Sequence, residues 1–334
     1  MKTISPAQRG AVEEADQRGL CDLDPSILEK DLLITEVLGM LAAFDWGEIQ
    51  AVFCGGTSLS KGHGVIQRMS EDIDFKLALP TSWSRSQARR KLSACRKELA
   101  ETMRAADFDL PEAGIVTLNE NRYFCFSIGY LPQFPLVPAL RAELRLDFTA
   151  HTPLLDPVPV QVRPLLAEFM ELDAQVVEHQ GVLLQETLAE KVVSFLRRTA
   201  GWQEQAERDP DDDMLVRHLY DVHQLLEVVP SDPEAQELQS YLFTKIVAGD
   251  QAKFGRQDSI FGANPSERLQ QALAQLQTSA EVAELYERFV SELVWGEPVP
   301  FAEARAGFVA LAARLLRGLD PPPSATPCPS TPQL

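Results

Sequence analysis

Two acidic residues, Asp72 and Asp74, flank a single apolar residue in a pattern typical of a short β-strand. Because alternate side chains of a strand point to the same face, both carboxylates should project together while Ile73 faces the core. Converging carboxylates repel each other unless a cation neutralises them, and hard oxygen ligands of this kind select Mg²⁺ or Mn²⁺. The pair therefore predicts a divalent metal site, although most isolated Asp-x-Asp pairs are only surface residues.

A glycine turn, Gly55-Gly56-Thr57-Ser58, follows the apolar run 49–54 and precedes the aspartate pair. Glycines at the end of a strand let the backbone approach a ligand closely. A helix opening out of the turn offers N–H groups and the positive end of its dipole to a phosphate, and the two hydroxyls can add donors. A phosphate-binding turn beside a metal-binding carboxylate pair is typical of enzymes that catalyse phosphoryl or nucleotidyl transfer. The alternative is a glycine turn that serves only as a helix cap.

The elements that position these residues differ between the two parts of the chain. Apolar periodicity predicts a mixture of helices and strands up to about residue 165 and only helices after it. The predicted elements are a helix at 27–43, a strand at 49–54, a brief helix at 57–61, a strand at 73–79, a helix at 84–106, a hairpin at 114–130, a strand at 140–149, and helices at 183–198, 214–228, 234–247, 265–276, 280–294 and about 301–317.

These elements predict an α+β fold with a mixed sheet. We expect an N-terminal core at 1–165, a helical C-terminal domain at 166–319 and a disordered proline-rich tail at 320–334.

Composition limits the classes of protein that this chain can belong to. With 334 residues, 45% of them hydrophobic, it can bury a sizeable core. It has neither a run of about 20 apolar residues nor the apolar segment of a signal peptide, so we expect a cytoplasmic protein without a membrane span. The five scattered cysteines contain no C-x-x-C pair, which argues against a disulfide framework or a zinc site.

The net charge of −18 argues against general affinity for nucleic acid, because such affinity comes from neutralising phosphates. A local basic surface would still permit it. The segment 85–97, rich in arginine and lysine, is a possible RNA contact. The alternative is a solvated helix face balanced by acidic neighbours.

Residues 53–77 resemble the signature of the AbiEii/AbiGii nucleotidyltransferase-like toxin family, which has a polymerase-β-like core. The family pattern is apolar-G-G-T-x-L-x-K, followed by R-x-S-x-D-x-D-apolar. The resemblance extends over about residues 25–315, through a lead-in helix at 28–31, a strand at 143–148, a Glu-Lys helix at 186–191 and an R-x-x-Y-D motif at 217–221. Two departures are Met69, where the family usually has Phe, and Asp147, where the third carboxylate is usually Glu.

The resemblance implies that Asp72, Asp74 and Asp147 are catalytic metal ligands, with Asp147 also orienting or deprotonating the attacking hydroxyl. Glu143 lies on the same face of the predicted strand and remains the alternative to Asp147.

In the helical part of the chain, Asp221 is implied as a late catalytic or substrate-orienting carboxylate. The alternative is a structural anchor bonded to Arg217, its neighbour one helical turn earlier.

The implied nucleotide-binding residues are Gly55, Gly56, Thr57, Ser58, Lys61, Arg68 and Lys191. Lys191 lies on an apolar helix and would otherwise extend along that surface to water. Arg68 is either a phosphate contact or the structural partner of a carboxylate.

The resemblance also implies an activity, which is Mg²⁺-dependent transfer of a nucleoside monophosphate from an NTP to an acceptor. Such a protein is the toxin of a toxin–antitoxin or phage-defence system and has a cognate antitoxin partner. RNA, and tRNA in particular, is the first acceptor implied. One alternative is a transferase acting on a protein or small-molecule hydroxyl, which the acidic charge favours somewhat. The other is a degenerate binding module, although the retained Gly56, Asp72 and Asp74 speak against it.

Overall fold

The computed structural model describes residues 1–138, 140–202 and 210–319, so the predicted tail at 320–334 lies outside the described residues. The described residues belong to two compact units. Of the described residues, the first comprises those within Met1–Leu188, Glu227–Val229 and Tyr286–Pro300, and the second those within Ala189–Leu226, Pro230–Leu285 and 301–319. The boundary predicted at residue 165 concerns folding domains and stays a prediction.

The first unit is built on a mixed sheet with the strand order β3-β4-β5-β2-β1-β7-β6. Its strands are β1 (Gln50–Cys54), β2 (Asp72–Ala78), β3 (Ile115–Leu118), β4 (Tyr123–Gly129), β5 (Glu143–Thr149), β6 (Val158–Val162) and β7 (Val177–Gly181). Strand β2 lies between β5, which is parallel to it, and β1, which is antiparallel. The strand that carries the aspartate pair therefore lies inside the sheet.

Five of the helices in the described part of the chain belong wholly to the first unit: α1 (Pro6–Gln17), α2 (Pro25–Ala43), α3 (Gly55–Thr57), α4 (Arg85–Ala105) and α5 (Leu165–Phe169). A π-helical turn at Ser58–Gly62 continues α3, and a 3₁₀ turn at Glu112–Gly114 precedes β3. Local sequence sets the helix starts. Asp24 caps α2 by accepting from the Ser26 amide at 2.8 Å, and Ser84 forms a capping box with Gln87 at the start of α4.

The remaining described elements are helical, and all of them except α9 and the 3₁₀ segment were predicted: α6 (Leu184–Thr199), a 3₁₀ segment (Pro210–Val216), α7 (Arg217–Val228), α8 (Pro233–Phe254), α9 (Ser259–Ala263), α10 (Pro265–Thr278), α11 (Ala280–Leu293) and α12 (Phe301–Arg317). In the second unit, the rings of Phe195 and Phe308 meet edge to face at 5.0 Å. Within the described ranges, no helix is both long and apolar enough to cross a membrane.

A row of stacked phenylalanines crosses one face of the sheet. Phe53, Phe75, Phe148 and Phe124 are in register on β1, β2, β5 and β4, with successive ring centroids 5.3, 6.0 and 4.8 Å apart. A shift of one residue would turn every side chain of a strand to the other face. The buried row therefore holds the register of the four strands, and with it the positions of the polar residues on the opposite face.

The expectation of helices alone after residue 165 was wrong, because β7 follows that point. It pairs antiparallel with β6 and parallel with β1, where Phe53 is opposite Gly181. Its sequence, Val-Glu-His-Gln-Gly, contains one β-branched residue, so local propensity does not indicate a strand. Pairing with β1 and β6 makes this segment a strand, which is a long-range effect.

Candidate active site

The polar face of the sheet brings the predicted carboxylates together. Asp74 is in register with Asp147 on β5 and with Cys54 on β1. Side chains that are in register on neighbouring strands lie on the same face, and Asp72 shares that face because it is two residues from Asp74. All three aspartates are half-buried. The predicted trio thus occupies adjacent positions on one face.

Strand register also separates Asp147 from its alternative, Glu143. The residue opposite Asp72 is Arg145, whereas Glu143 is opposite Gly129 of β4. Glu143 therefore shares the face but is in register with neither aspartate of β2.

Asp147 is held by two neighbours on this face. Its Oδ2 accepts from Arg145 Nε at 2.9 Å, and its Oδ1 accepts from the Tyr123 hydroxyl. Burial, followed by the hydrogen bond to Asp147, raises the pKa of Tyr123, so the phenol keeps its proton and donates. Burial also raises the pKa of the adjacent Cys125 thiol to about 11, so this side chain is neutral near pH 7.

Asp72 also has a basic partner, because its Oδ1 accepts from Arg141 Nη2 at 2.9 Å. Arg141 and Arg145 are each about one-third exposed. Two guanidinium groups therefore balance the carboxylates on this face.

The carboxylates fit a divalent cation in their chemistry and in the face they share. Among the described residues, no three His, Cys, Asp or Glu side chains are already grouped as a metal site. Asp72 and Asp74 nevertheless supply hard oxygen donors from one strand face. Each Asp147 oxygen accepts one hydrogen bond and keeps a second lone pair. Asp72 and Asp74 would therefore hold the cation, with Asp147 as the third carboxylate.

The glycine turn passes close to these side chains. Gly55 has φ +78°, and a Cβ placed on it would lie 2.9 Å from Cγ of Asp74. A Cβ on Gly56 would lie 2.6 Å from Ser70 Oγ and 2.8 Å from Arg68 Nη2. Only glycine allows the backbone to come this close to the carboxylate.

The two hydroxyls of the turn bond to the main chain. Thr57 donates to the carbonyl oxygens of Asp72 and, at 3.3 Å, Ser70. Ser58 donates to the Phe53 carbonyl at 3.4 Å. These bonds fasten the turn to β1 and to the start of β2, and the role of both hydroxyls in nucleotide binding stays a prediction.

Lys61 and Arg68 also have structural contacts. Lys61 Nζ pairs with Asp31 Oδ1 at 2.5 Å, and both side chains are almost fully buried. Arg68 donates to the Met69 carbonyl at 2.8 Å and lies 6.0 Å from the ring centroid of Phe289. The predicted binding of nucleotide by Lys61 and Arg68 stays a prediction.

The second unit brings Lys191 and Asp221 together. Lys191 Nζ lies 2.7 Å from Asp221 Oδ2, and both side chains are buried. Burial, and then the charge of Lys191, keeps the pKa of the neighbouring His218 well below its ordinary value, so this imidazole is neutral. The Glu-Lys helix and the R-x-x-Y-D motif thus contribute to one buried cluster.

Several residues of the polar face were missed in the sequence. Alternation along β5 places Arg145 on the same face as Asp147, so Arg145 could have been predicted from the sequence as a neighbour of the site. Tyr123 and Arg141 come from separate segments, and no local pattern relates them to the aspartates.

The fold is that of a nucleotidyltransferase toxin. The solved structure of MenT4, a nucleotidyltransferase toxin from Mycobacterium tuberculosis H37Rv, is similar over 92% of this chain and 89% of that chain, with a TM-score of 0.59 and 21% identity. This likeness confirms the predicted α+β fold.

A family model gives the assignment. The model described as the nucleotidyl transferase AbiEii toxin of type IV toxin–antitoxin systems matches residues 40–307, which is more than half of the chain. The chain therefore belongs to the AbiEii nucleotidyltransferase toxin family, and the resemblance read from the motifs is confirmed. The protein is a nucleotidyltransferase, and its family implies an antitoxin partner and a nucleotide substrate. No curated protein matches the chain.

Proposed function

We propose that this toxin acts in the cytoplasm and transfers a nucleoside monophosphate from an NTP to RNA, with tRNA as the first acceptor, in a reaction that requires Mg²⁺ or Mn²⁺. The observation that carries the proposal is the shared face of Asp72, Asp74 and Asp147 beside the glycine turn. Arg141 and Arg145 compensate part of the negative charge on this face, and a bound cation would compensate more of it.

Each residue has a distinct part in this reaction. Asp72 and Asp74 hold the cation site, and Asp147 orients the acceptor hydroxyl and accepts its proton. A divalent cation held there by Asp72 and Asp74 would neutralise phosphate charge and make the hydroxyl more acidic. The acceptor oxygen forms a bond to the α-phosphorus while the α–β phosphoanhydride bond breaks, and pyrophosphate leaves.

The nucleotide is received by Gly55 and Gly56, whose bare backbone leaves room beside Asp74. The roles predicted for Lys191 in phosphate binding and for Asp221 in substrate orientation stay predictions. Register supports Asp147 over Glu143 as the third carboxylate, because Asp147 is opposite Asp74.

Helix α4 supports RNA as the acceptor. Arg89, Arg90, Lys91 and Lys97 are exposed on it, while Leu92 and Leu99 are buried. An otherwise acidic chain thus presents a local basic surface that can neutralise phosphates.

The proposal is tested with each α-labelled NTP, Mg²⁺ and total cell RNA in lysate, comparing wild type with Asp74→Asn. We expect label on RNA, and a loss of at least about a hundredfold in the variant because a cation ligand is removed. Asp16→Asn, at an exposed position on α1, is the control and should keep wild-type labelling. Label on protein alone would replace RNA as the acceptor. No label with any nucleotide would overturn the proposed reaction.

A further inference from the structure

The backbone of Arg141, in the segment before β5, is held in place through both its amide and its carbonyl. Its amide donates to Glu71 Oε2 at 3.0 Å, and its carbonyl accepts from Lys30 Nζ at 2.7 Å. Its guanidinium donates to Asp72 Oδ1 at 2.9 Å. A residue outside any helix or strand is thus fixed in place with its charged end on Asp72, and its Nε lies 3.8 Å from Glu71 Oε1.

The side chains that hold Arg141 form an ion pair with each other. Lys30 on α2 has no exposed side-chain surface, and its partner Glu71 is 12% exposed. Burial lowers the pKa of Lys30, and the Glu71 carboxylate opposes that shift. Burying two charges is unfavourable unless further hydrogen bonds satisfy them. Here the further bonds go to the main chain of Arg141, so the pair fixes that residue.

The side chain of Arg141 is partly exposed to solvent, whereas its main chain is fixed by hydrogen bonds. The side chain is 34% exposed, and its guanidinium contacts Asp72 on the polar face of the sheet. A guanidinium presents parallel N–H donors that match phosphate oxygens as well as carboxylates. A cation and Arg141 would also compete for the same carboxylate, Asp72, since each compensates its charge.

We propose that Arg141 binds the phosphates of the nucleotide and neutralises Asp72 whenever no divalent cation is bound there, with Lys30 and Glu71 as its positioning residues. This inference rests on the proposed function, because it takes Asp72 as a ligand of the cation.

The test measures two binding reactions separately in Arg141→Ala. The first is Mn²⁺ binding without nucleotide, followed by electron paramagnetic resonance. The second is calorimetric binding of inorganic tripolyphosphate with Mg²⁺, a probe that carries the phosphate chain without a base. We expect tripolyphosphate binding to weaken about tenfold, as for one lost charged hydrogen bond. Mn²⁺ binding should tighten, because its competitor at Asp72 is gone.

Opposite changes in the two affinities would distinguish the proposed role of Arg141 from a purely structural one. If both affinities fall together, Arg141 only supports the fold, and if neither changes, it has no part in the site. Either result overturns the inference. Arg141→Lys should keep Mn²⁺ binding near wild type and recover part of the tripolyphosphate affinity. Arg18→Ala, an arginine paired with Glu14 on α1, is the matched control and should change neither affinity.

The positioning role of Lys30 is tested by a double-mutant cycle. Lys30→Met should shift both affinities in the same directions as Arg141→Ala, and the double variant should change them no further. Additive changes in the two affinities would show that Lys30 acts independently of Arg141 and would overturn its positioning role. If Lys30→Met does not fold, the Arg141→Ala and Arg141→Lys data decide the proposal alone. Neither probe involves an acceptor, so failure of RNA labelling and failure of this inference are separate results.

Discussion

At the scale of the residue, the site depends on how closely the backbone can approach a carboxylate. Gly55 has a left-handed φ of +78°, and the space that its side chain would fill holds the Asp74 carboxylate. The left-handed backbone favours glycine, and the lack of space for a side chain beside Asp74 requires it. Gly64 shares only the first condition, since it has φ +65° and nothing within 4 Å of a Cβ placed on it.

Gly55→Ala should therefore lower both stability and activity, whereas Gly64→Ala should lower stability alone. For Gly64→Ala we expect a loss of about 1–2 kcal/mol, the cost of left-handed backbone in a residue with a Cβ. Gly55→Ala should lose more and should also abolish label transfer, because Asp74 must move. Urea unfolding and the labelling assay measure the two effects. Equal losses of stability and full activity in both variants would contradict the close approach at Gly55.

At the scale of the element, helix α2 organises the segments around the site. Three consecutive charged residues on it are buried, and each holds a different segment. Glu29 accepts from the amides of Gln133 and Phe134, and Lys30 holds Glu71 and Arg141. Asp31 accepts from the Leu165 amide at 2.8 Å and pairs with Lys61 in the π-helical turn. The lead-in helix named by the family motif is thus a scaffold for the loops.

Lys61→Met should destabilise the protein by about 3–5 kcal/mol, because it leaves the Asp31 carboxylate buried without its cation. The midpoint of chemical unfolding measures this loss. Lys91→Met, at an exposed lysine of α4, is the control and should stay within about 0.5 kcal/mol of wild type. A small loss for Lys61→Met would mean that the pair with Asp31 does not support the fold and would favour the predicted phosphate contact.

At the scale of the whole molecule, charge is distributed unevenly. The chain carries a net charge of −18, yet the exposed side of α4 is basic. Arg85 on this helix is engaged by Glu120, whose oxygens lie 2.9 Å from its Nε and Nη2. Arg90 and Lys97 are two turns apart on one face of the helix and lie in the segment predicted to contact RNA.

Reversing these two charges in Arg90→Glu/Lys97→Glu should weaken RNA binding and reduce its salt dependence. The slope of log K against log salt should become shallower by about one for each lost phosphate contact. Fluorescence anisotropy with labelled tRNA over a range of salt measures both quantities. Arg18→Glu reverses an exposed charge at the C-terminal end of α1 and should leave the slope unchanged. If the double variant binds like this control, α4 is only a solvated helix face.

Much of the fold and part of the site could be predicted because their patterns are local. Alternation around Ile73 places two carboxylates on one face, and adjacent glycines after an apolar run indicate a tight turn. Strand β7 was missed because Glu178, His179 and Gln180 carry no strand propensity. Hydrogen bonding to β1 and β6 stabilises the strand conformation that its own residues do not favour.

By itself, the sequence determined the family, the α+β class, the carboxylate pair at Asp72 and Asp74 and the glycine turn, since short-range periods and a long motif encode them. The family resemblance favoured Asp147 as the third carboxylate, but alternation along the strand did not separate it from Glu143, because a period of two cannot distinguish positions four residues apart. Only the tertiary structure placed Asp147 opposite Asp74, through the register that the phenylalanine row holds. Only the tertiary structure brought Arg141 to Asp72, because that contact joins segments far apart in the chain through the buried Lys30–Glu71 pair.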